Sequence, residues 1–403
     1  QFKWRHQFQF AGYYAALEQG YFREEGLDVE FLERAPGSTP GESLLAGRAE
    51  FAVDSPSVLL RRLEGQPLVV LAAIFQHSAS VMVSVRGRGV STPHDLRGRR
   101  VMFDPGFDVE VAAMIASEGM KPEALDRVPH SWSVDDLAAG RVDAMSAYLT
   151  SEPFLLRRMG LDPLVLRPVD FGVDFYGDCL VTTEGLVRER PEMVDGFLRA
   201  VRRGWEYAMT HPGEMVELIH LRYAPDIPKD QLLFEAEAMR ELVRPDFVEI
   251  GHMNPARWRQ MADYYARLGM VSGKPDLSGF IYSELREDLR TRRESLVRLS
   301  LLVLLVVVCV GASIAGVLFL FNARLARKVR EQTSALAASE RSFRAFFEMA
   351  GLGVAQVDRD AGAFVKANLK FCAMTGCTAR ELRVMTWRDL VRPRDLGTLE
   401  EES

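Results

Sequence analysis

The chain has 403 residues, enough for two or three domains, and its composition is that of an ordinary globular protein. Its formal net charge of −6 gives no sign of a nucleic-acid partner. Of the four cysteines only Cys179 precedes residue 300, so the N-terminal part has no pair for an internal disulfide, and no residues have the spacing of a metal site. The sequence begins QFKWRH without an initiator methionine, and we expect a trimmed N-terminus.

Strand-like and helix-like segments alternate from the start of the chain. The run FKWRHQFQF predicts a strand, residues 11–19 a helix that ends before Gly20, and residues 29–32 a second strand. The continuous apolar run at 67–74 is typical of a strand buried on both faces. This alternation predicts an α/β fold with a mainly parallel sheet.

A second alternating series begins at Ser91. It contains a helix at 109–118 and a strand at 164–167, and the segment FGVDFYGDCLVTT then returns to the first series. Helices dominate from Pro191 onward. Two α/β lobes, joined by two crossings and followed by a helical tail, form a two-lobed clamshell, and ligands of such folds lie between the lobes at the carboxyl ends of the strands.

The segments that carry a family resemblance are KWRHQFQFAGYYAALEQGYFREEGLDVEFLE, AGRAEFAVDSPSVLL, DLRGRRVMF, LAAGRVDAMSAYLTSEP and RPEMVDGFLRAVRRGWEYAMTHPGE. Together they resemble type II periplasmic solute-binding proteins, most nearly the thiamine-pyrimidine branch. The resemblance covers residues 1–283 and implies a first lobe of about 1–83 and 181–283 and a second lobe of about 84–180. It implies a small-molecule ligand, such as a pyrimidine precursor of thiamine.

The same branch contains a fungal enzyme that makes the pyrimidine. The resemblance implies a lysine that carries pyridoxal phosphate and a histidine four residues later, where this chain has Asp54 and Val58. It also implies an iron-holding cysteine cluster, where this chain has only Cys179. Asp54 cannot form a Schiff base, so we predict a binding module with no catalytic residue, cofactor or metal. The alternatives are a pyrimidine synthase and a membrane-tethered component of an ABC importer.

Binding of a flat heterocycle calls for aromatic planes and for carboxylates or amides that address its nitrogen atoms. Such side chains follow the predicted strands, and the candidate ligand-binding residues are Trp4, Gln9, Phe10, Tyr13, Asp54, Ser55, Phe75, Gln76, Tyr148, Glu152, Tyr176 and Asp178. Phe10 and Phe75 are equally consistent with core positions, and His6 with a structural or solvated one. Asp54 and Asp178 are the strongest candidates because a buried carboxylate needs a partner, and we expect their substitution by alanine to weaken binding without changing the stability of the ligand-free domain.

Residues 299–321, LSLLVLLVVVCVGASIAGVLFLF, contain no charged side chain. As a helix they span about 35 Å, enough to cross a hydrocarbon layer of roughly 30 Å, so we predict one transmembrane helix after a charged linker at 284–298. Lys and Arg flank both ends in similar numbers and do not decide the orientation. The resemblance implies a plasma (inner) membrane location, with 1–298 periplasmic or extracellular and 322–403 cytoplasmic.

Residues 322–340 place Leu325, Val329 and Leu336 near heptad positions a and d, which predicts a signalling helix and a homodimer, or else a lone amphipathic helix. From 341 to 403 the motifs N-x-x-F-x-x-M-T-G and W-x-D-L-x-x-P-x-D resemble the first half of a PAS domain, as found in sensor histidine kinases and diguanylate cyclases. We therefore predict the ligand-sensing half of a membrane receptor, in which closure of the clamshell is relayed to the PAS domain, with the output domain missing from this sequence.

Overall fold

The computed structural model describes residues 1–34, 37–104, 108–121, 124–271 and 275–391. The chain forms two compact units, Gln1–Glu294 and Ser295–Ser403. The first unit holds the helices α1 (Ala11–Glu18), α2 (Tyr21–Glu24), α3 (Pro40–Leu45), α4 (Val58–Leu63), α5 (Val109–Ser117), α6 (Asp135–Ala138), α7 (Glu152–Arg158), α8 (Glu184–Glu189), α9 (Pro191–Thr210), α10 (Pro212–Arg222), α11 (Lys229–Val243) and α12 (Pro255–Arg267). Its strands are β1 (Ala52–Asp54), β2 (Leu68–Ala73), β3 (Ser80–Val85), β4 (Arg100–Met102), β5 (Asp126–Val128), β6 (Ala144–Tyr148), β7 (Pro163–Leu166) and β8 (Cys179–Thr183).

The strands of the first unit form two sheets, one in each lobe. Within the described residues, the first sheet has the order β1-β8-β2 and the second the order β5-β4-β6-β3-β7. Strand β8 enters the first sheet from the second crossing, as the sequence predicts for FGVDFYGDCLVTT. The second sheet begins at Ser80, slightly before the boundary near 83 that the sequence suggests. The two-lobed α/β fold is confirmed.

The prediction of mainly parallel sheets is wrong for the described strands. Strand β8 runs antiparallel to both of its neighbours, and β3 runs antiparallel to β6 and β7. The parallel pairs are β4 with β5 and β4 with β6. Every residue of β2 and β3 is buried. Their sequence pattern therefore indicates that both faces of each strand are covered by other parts of the protein, but it does not indicate the direction of the strand.

The N-terminal segment also differs from the prediction, because neither 2–7 nor 29–32 is a strand. Isolated backbone hydrogen bonds hold it instead, from Phe2 N to the Leu32 carbonyl at 2.7 Å and from Val53 N to the Gln1 carbonyl at 2.9 Å. The Phe2 ring stacks on Phe10 with 4.1 Å between ring centroids, and Phe10 closes a short 3₁₀ turn. The apolar residues that suggested a strand are thus core side chains of an irregular segment.

Helices α1 and α9 pack closely in the first lobe because glycines line their contact. A Cβ atom placed on Gly204 would lie 2.1 Å from the Gly12 carbonyl oxygen and 2.7 Å from Ala16 Cβ. One placed on Gly12 would meet the ring of Trp205, which is fully buried. No larger side chain fits this contact without moving a helix.

The long helix α13 (Tyr282–Met349) begins against the first lobe. Just before it, the Phe280 carbonyl accepts a hydrogen bond of 2.8 Å from Val70 N in β2. The Tyr282 hydroxyl donates to Asp195 of α9 at 2.7 Å, and the Leu285 side chain is buried in the lobe core. The first turns of α13 therefore belong to the packed structure of the first unit.

Helix α13 continues into the second unit and contains the apolar segment 299–321, which is long and apolar enough to cross a membrane by length and composition. Beyond it lie β9 (Ala355–Val357) and β10 (Phe364–Ala367), which pair antiparallel, and the helices α14 (Leu369–Thr375) and α15 (Ala379–Leu382).

The asparagine of the N-x-x-F-x-x-M-T-G motif has a structural role in this unit. Asn368 is fully buried, caps α14 by accepting from Phe371 N at 2.8 Å, and donates to the carbonyls of Phe347 and Leu352. In the W-x-D-L-x-x-P-x-D motif, the Asp389 carboxylate accepts from Thr386 N at 2.7 Å. The last two positions of that motif lie outside the described residues.

Candidate functional site

A cleft of about 510 Å³ lies between the two lobes of the first unit. The first lobe contributes its N-terminal segment, the start of α3 and the turn that follows β1. The second lobe contributes the end of β6, the start of β3, the start of α5, the loop after β5 and the start of α7. The cleft has the size of a small-molecule pocket and lies where strands of both sheets end.

The candidate residues predicted from the sequence divide evenly between the cleft and its surroundings. Those that line the cleft are Trp4, Gln9, Asp54, Ser55, Tyr148 and Glu152. Phe10, Tyr13 and Phe75 are instead buried in the core of the first lobe, because they face inward from the elements that end at the cleft. Their prediction as ligand contacts does not match this arrangement.

Three further predicted residues lie outside the lining because other groups of the protein bind them. The Gln76 amide donates to the carbonyls of Ala73 and His252 at 3.1 and 3.0 Å. The Tyr176 hydroxyl accepts from Asn254 N at 2.7 Å. Asp178 lies beneath the lining and is 1% exposed.

Asp178 is the centre of a polar network that joins the two lobes below the cleft. Its carboxylate forms an ion pair with Lys3 at 2.6 Å and accepts from the Gln9 amide at 2.6 Å. Tyr148, at the end of β6 in the second lobe, donates to the same carboxylate at 2.7 Å. Lys3, Gln9 and Tyr148 all line the cleft, so Asp178 fixes their positions from behind.

Asp54 ends strand β1 and is 5% exposed. Its Oδ1 accepts from Ser55 N at 2.8 Å, whereas its Oδ2 accepts no hydrogen bond from the described residues. Burial raises the pKa of Asp54, and the Ser55 backbone N–H, the charges of Arg61 and Lys3 and the Gly41 backbone N–H oppose that effect, in decreasing order. A second enclosed acceptor of the lining, Gln66 Oε1, is also without a donor among the described residues.

Three more carboxyl groups line the second-lobe wall, of which Asp108 and Glu110 are buried and Glu152 is partly buried. Asp108 accepts from Ser146 Oγ at 2.6 Å, Glu110 accepts from Ser78 Oγ at 2.9 Å, and Glu152 accepts from Tyr148 N at 2.8 Å. Burial raises the pKa of all three, and that of Glu110 rises to about 7. Since buried acceptors are costly without donors, this wall favours a ligand rich in N–H groups or positive charge.

Two tryptophans face each other across the cleft. Trp4 of the first lobe and Trp132 of the second both line it, with 6.2 Å between their ring centroids and 51° between their planes. Trp4 was predicted from the sequence, whereas Trp132, Asp108, Glu110 and His130 were not. Trp132 lies four residues after the carboxyl end of β5, a strand that was not predicted from the sequence.

The lining does not fit pyridoxal phosphate chemistry. Lys3 is the lysine of the described lining, and its Nζ is held by Asp178 and by the Tyr148 hydroxyl. Asp54 occupies the place where the resemblance implies a Schiff-base lysine, and Cys179 is fully buried. Among the described residues no group of three or more His, Cys, Asp or Glu has the arrangement of a metal site.

The sequence matches two families. Residues 7–215 match the NMT1/THI5-like family, and residues 341–402 match a PAS domain family. A formylaminopyrimidine-binding protein of Halalkalibacterium halodurans is 28% identical over 213 residues, which are 51% of this chain and 64% of that protein. The chain thus spans less than two thirds of this relative's length.

Other relatives bear different names. The riboflavin-binding protein RibY of Chloroflexus aurantiacus is 25% identical, with 67% of this chain and 80% of that protein covered. A 4-amino-5-hydroxymethyl-2-methylpyrimidine phosphate synthase of Legionella pneumophila is 24% identical, with 51% and 66% covered. The crystal structure of the periplasmic aliphatic sulphonate binding protein SsuA from Escherichia coli superposes with a TM-score of 0.56 at 16% identity, covering 69% of this chain and 96% of that one, a likeness of fold alone.

Proposed function

This chain belongs to the NMT1/THI5-like family, and from that premise we propose that its first unit binds a small pyrimidine-type molecule in the cleft as the sensing part of a membrane receptor. The observation that carries the proposal is the Asp54 carboxylate, which is buried at the cleft with its Oδ2 lacking a hydrogen-bond donor from the described residues. An aminopyrimidine offers N–H donors to such a group. A charge-assisted hydrogen bond to it is stronger than one between neutral groups.

The charge of the lining supports a pyrimidine over a sulfonate. Asp108, Glu110 and Glu152 present acceptors on the second-lobe wall, and Asp54 does so on the first. A sulfonate is itself an anion and needs donors or cations around it. The lining contains six carboxyl groups (Glu42, Asp54, Glu64, Asp108, Glu110 and Glu152) against three basic side chains (Lys3, Arg34 and Arg61), and Lys3 is already paired with Asp178, so acceptors outnumber the cations that a sulfonate needs.

The start of α13 supports a relay from the first unit. Asp195 of α9 accepts from the Tyr282 hydroxyl and pairs with Arg286, and Leu285 is buried in the lobe core. Any ligand-driven change in the first lobe therefore acts on the first turns of the helix that contains the apolar segment. We propose that this segment spans the plasma membrane, that the first unit is outside and the PAS domain inside, and that the chain forms a homodimer through 322–340.

Ligand-dependent stabilisation of the full chain tests the binding proposal. The purified chain in detergent is heated with formylaminopyrimidine, riboflavin or propanesulfonate, because a ligand that binds the native state raises the midpoint. We expect the pyrimidine to raise the midpoint and the sulfonate to leave it unchanged. The reverse pattern, or no shift with any of them, contradicts the proposal.

The receptor part of the proposal has a separate test. Reporters of periplasmic and cytoplasmic location are fused at Gln1 and Ser403, and we expect them to report opposite compartments. The same compartment at both ends contradicts a single membrane crossing.

The PAS match favours a receptor over an importer component, because a transporter component has no use for a signalling module.

A further inference from the structure

Trp132 has a backbone conformation that tryptophan rarely adopts. Its φ is 59°, in the left-handed region, and Arg244 is the other described non-glycine residue with a positive φ. A bulky side chain is strained in that region and persists there only where its surroundings hold it. The Trp132 side chain is nevertheless 54% exposed, so core packing does not explain the strain.

Neighbouring groups of the second lobe hold Trp132 in place. Its backbone N–H donates to His130 Nδ1 at 3.0 Å, and the imidazole ring stacks on the indole with 4.3 Å between centroids. Because Nδ1 accepts this bond, the ring proton is on Nε2, which donates to the Ser146 carbonyl of β6 at 2.9 Å. The strained tryptophan is thus fixed to the central part of the second sheet and presented at the cleft.

Trp4 stands opposite in the first lobe. Its ring is 38% exposed, and the Arg34 guanidinium lies 5.9 Å from its centroid. A planar ring inserted between two others needs about 7 Å between the outer rings, twice a contact distance of about 3.5 Å. The observed separation of 6.2 Å is slightly less than this and the ring planes are tilted by 51°, so a small movement of either lobe together with a rotation of one indole admits one ring.

We propose that Trp4 and Trp132 form an aromatic clamp that takes a planar heterocycle between the two lobes, with Trp132 as the specificity-determining residue of the second lobe. The inference deepens the proposed function and depends on it. Indole faces attract electron-poor and cationic rings, and the carboxyl groups below address their N–H groups. The clamp therefore selects planar nitrogen heterocycles and gives no advantage to an aliphatic ligand.

Calorimetric titration of the full chain with formylaminopyrimidine tests the clamp. We expect Trp132→Leu and Trp132→Gly each to weaken binding at least tenfold, which is the usual loss when one stacking aromatic side chain is removed from a nucleobase. Trp132→Phe should retain part of the affinity. Phe247→Leu is the matched control, because Phe247 is 78% exposed and does not belong to the cleft lining.

The stability of the ligand-free variants separates a clamp from a structural role. Glycine adopts a positive φ without strain, so Trp132→Gly should melt at the same temperature as the native chain or higher while its affinity falls. A fall in the melting temperature together with affinity would assign Trp132 a structural role and overturn the clamp. Native-like affinity in Trp132→Leu and Trp132→Gly would also overturn the clamp, but it would not contradict the proposed function. If the native chain does not bind the pyrimidine, both the clamp and the proposed function are contradicted.

Discussion

Lys3 and Asp178 form an ion pair with 2.6 Å between Nζ and Oδ1, and the side chains are 15% and 2% exposed. The pair joins the N-terminal segment to the residue that precedes β8, where the chain returns from the second lobe to the first. Because Tyr148 of the second lobe donates to the same carboxylate, the pair also links the lobes at the base of the cleft.

Replacement of Asp178 should destabilise the ligand-free protein, contrary to the expectation from the sequence that its stability would not change. Asp178→Ala leaves the Lys3 ammonium group largely buried without its partner and removes the acceptor of Gln9 and Tyr148, a loss of about 3 to 5 kcal/mol. Thermal unfolding of the full chain measures it. Asp162→Ala is the control, since the Arg86–Asp162 pair is more than 60% exposed and should matter little. Equal melting temperatures for the two variants would contradict a structural role for Asp178.

The contact of α1 with α9 predicts a second stability effect. Gly204→Ala places a methyl group 2.1 Å from the Gly12 carbonyl oxygen, so the helices must separate, at a cost of about 1 to 3 kcal/mol or more. Gly213→Ala in α10 is the control, because no atom lies within 4 Å of its added Cβ and alanine favours helix. We expect the first variant to melt lower and the second to melt no lower than the native chain. A native-like melting temperature for Gly204→Ala would show that the contact is looser than described.

Glu110 predicts how stability depends on pH. Burial raises its pKa from 4.5 to about 7, so between these values the folded chain holds a proton that the unfolded chain has released. The contribution of Glu110 to the free energy of unfolding is therefore full below about pH 4.5 and is lost as the pH rises through about 7. Glu110→Gln keeps a neutral acceptor for Ser78 and should reduce the fall in melting temperature between pH 5 and pH 7.5.

The matched control for this prediction is Glu189→Gln, since Glu189 is exposed on α8. It should retain the full pH dependence of the native chain. Part of the dependence should also remain in Glu110→Gln, because burial raises the pKa of Glu235 to about 7 as well. An unchanged pH dependence in Glu110→Gln would show that Glu110 does not titrate in this range.

The sequence predicted the two-lobed fold, and six of its twelve candidate residues line the cleft, because strand ends leave a local pattern. Asp54 and Glu152 were found since each follows an apolar strand-like run, and both line the cleft. Strand direction was predicted wrongly, because a strand that is buried on both faces, such as β2 or β3, has the same pattern in a parallel or an antiparallel sheet.

The remaining differences arise from contacts between distant parts of the chain. The sequence predicts Asp178 as a ligand contact, but Lys3, 175 positions earlier, forms an ion pair with it. Phe10 and Tyr13 follow an apparent strand, but Phe2 packs on both rings and places them in the core. Trp132 was missed because its neighbourhood PHSWSVDD has no apolar run, and its φ and its distance from Trp4 are properties of the folded chain.

Binding of formylaminopyrimidine to the full chain and to Asp54→Asn, measured by calorimetry, tests the central claim most directly. The claim predicts that the native chain binds and that the exposed Asp28→Asn binds like the native chain. It predicts that Asp54→Asn binds at least tenfold more weakly, because an amide NH2 donor replaces one of the two carboxyl oxygens. Equal affinities for Asp54→Asn and Asp28→Asn, or no binding by the native chain, would contradict it.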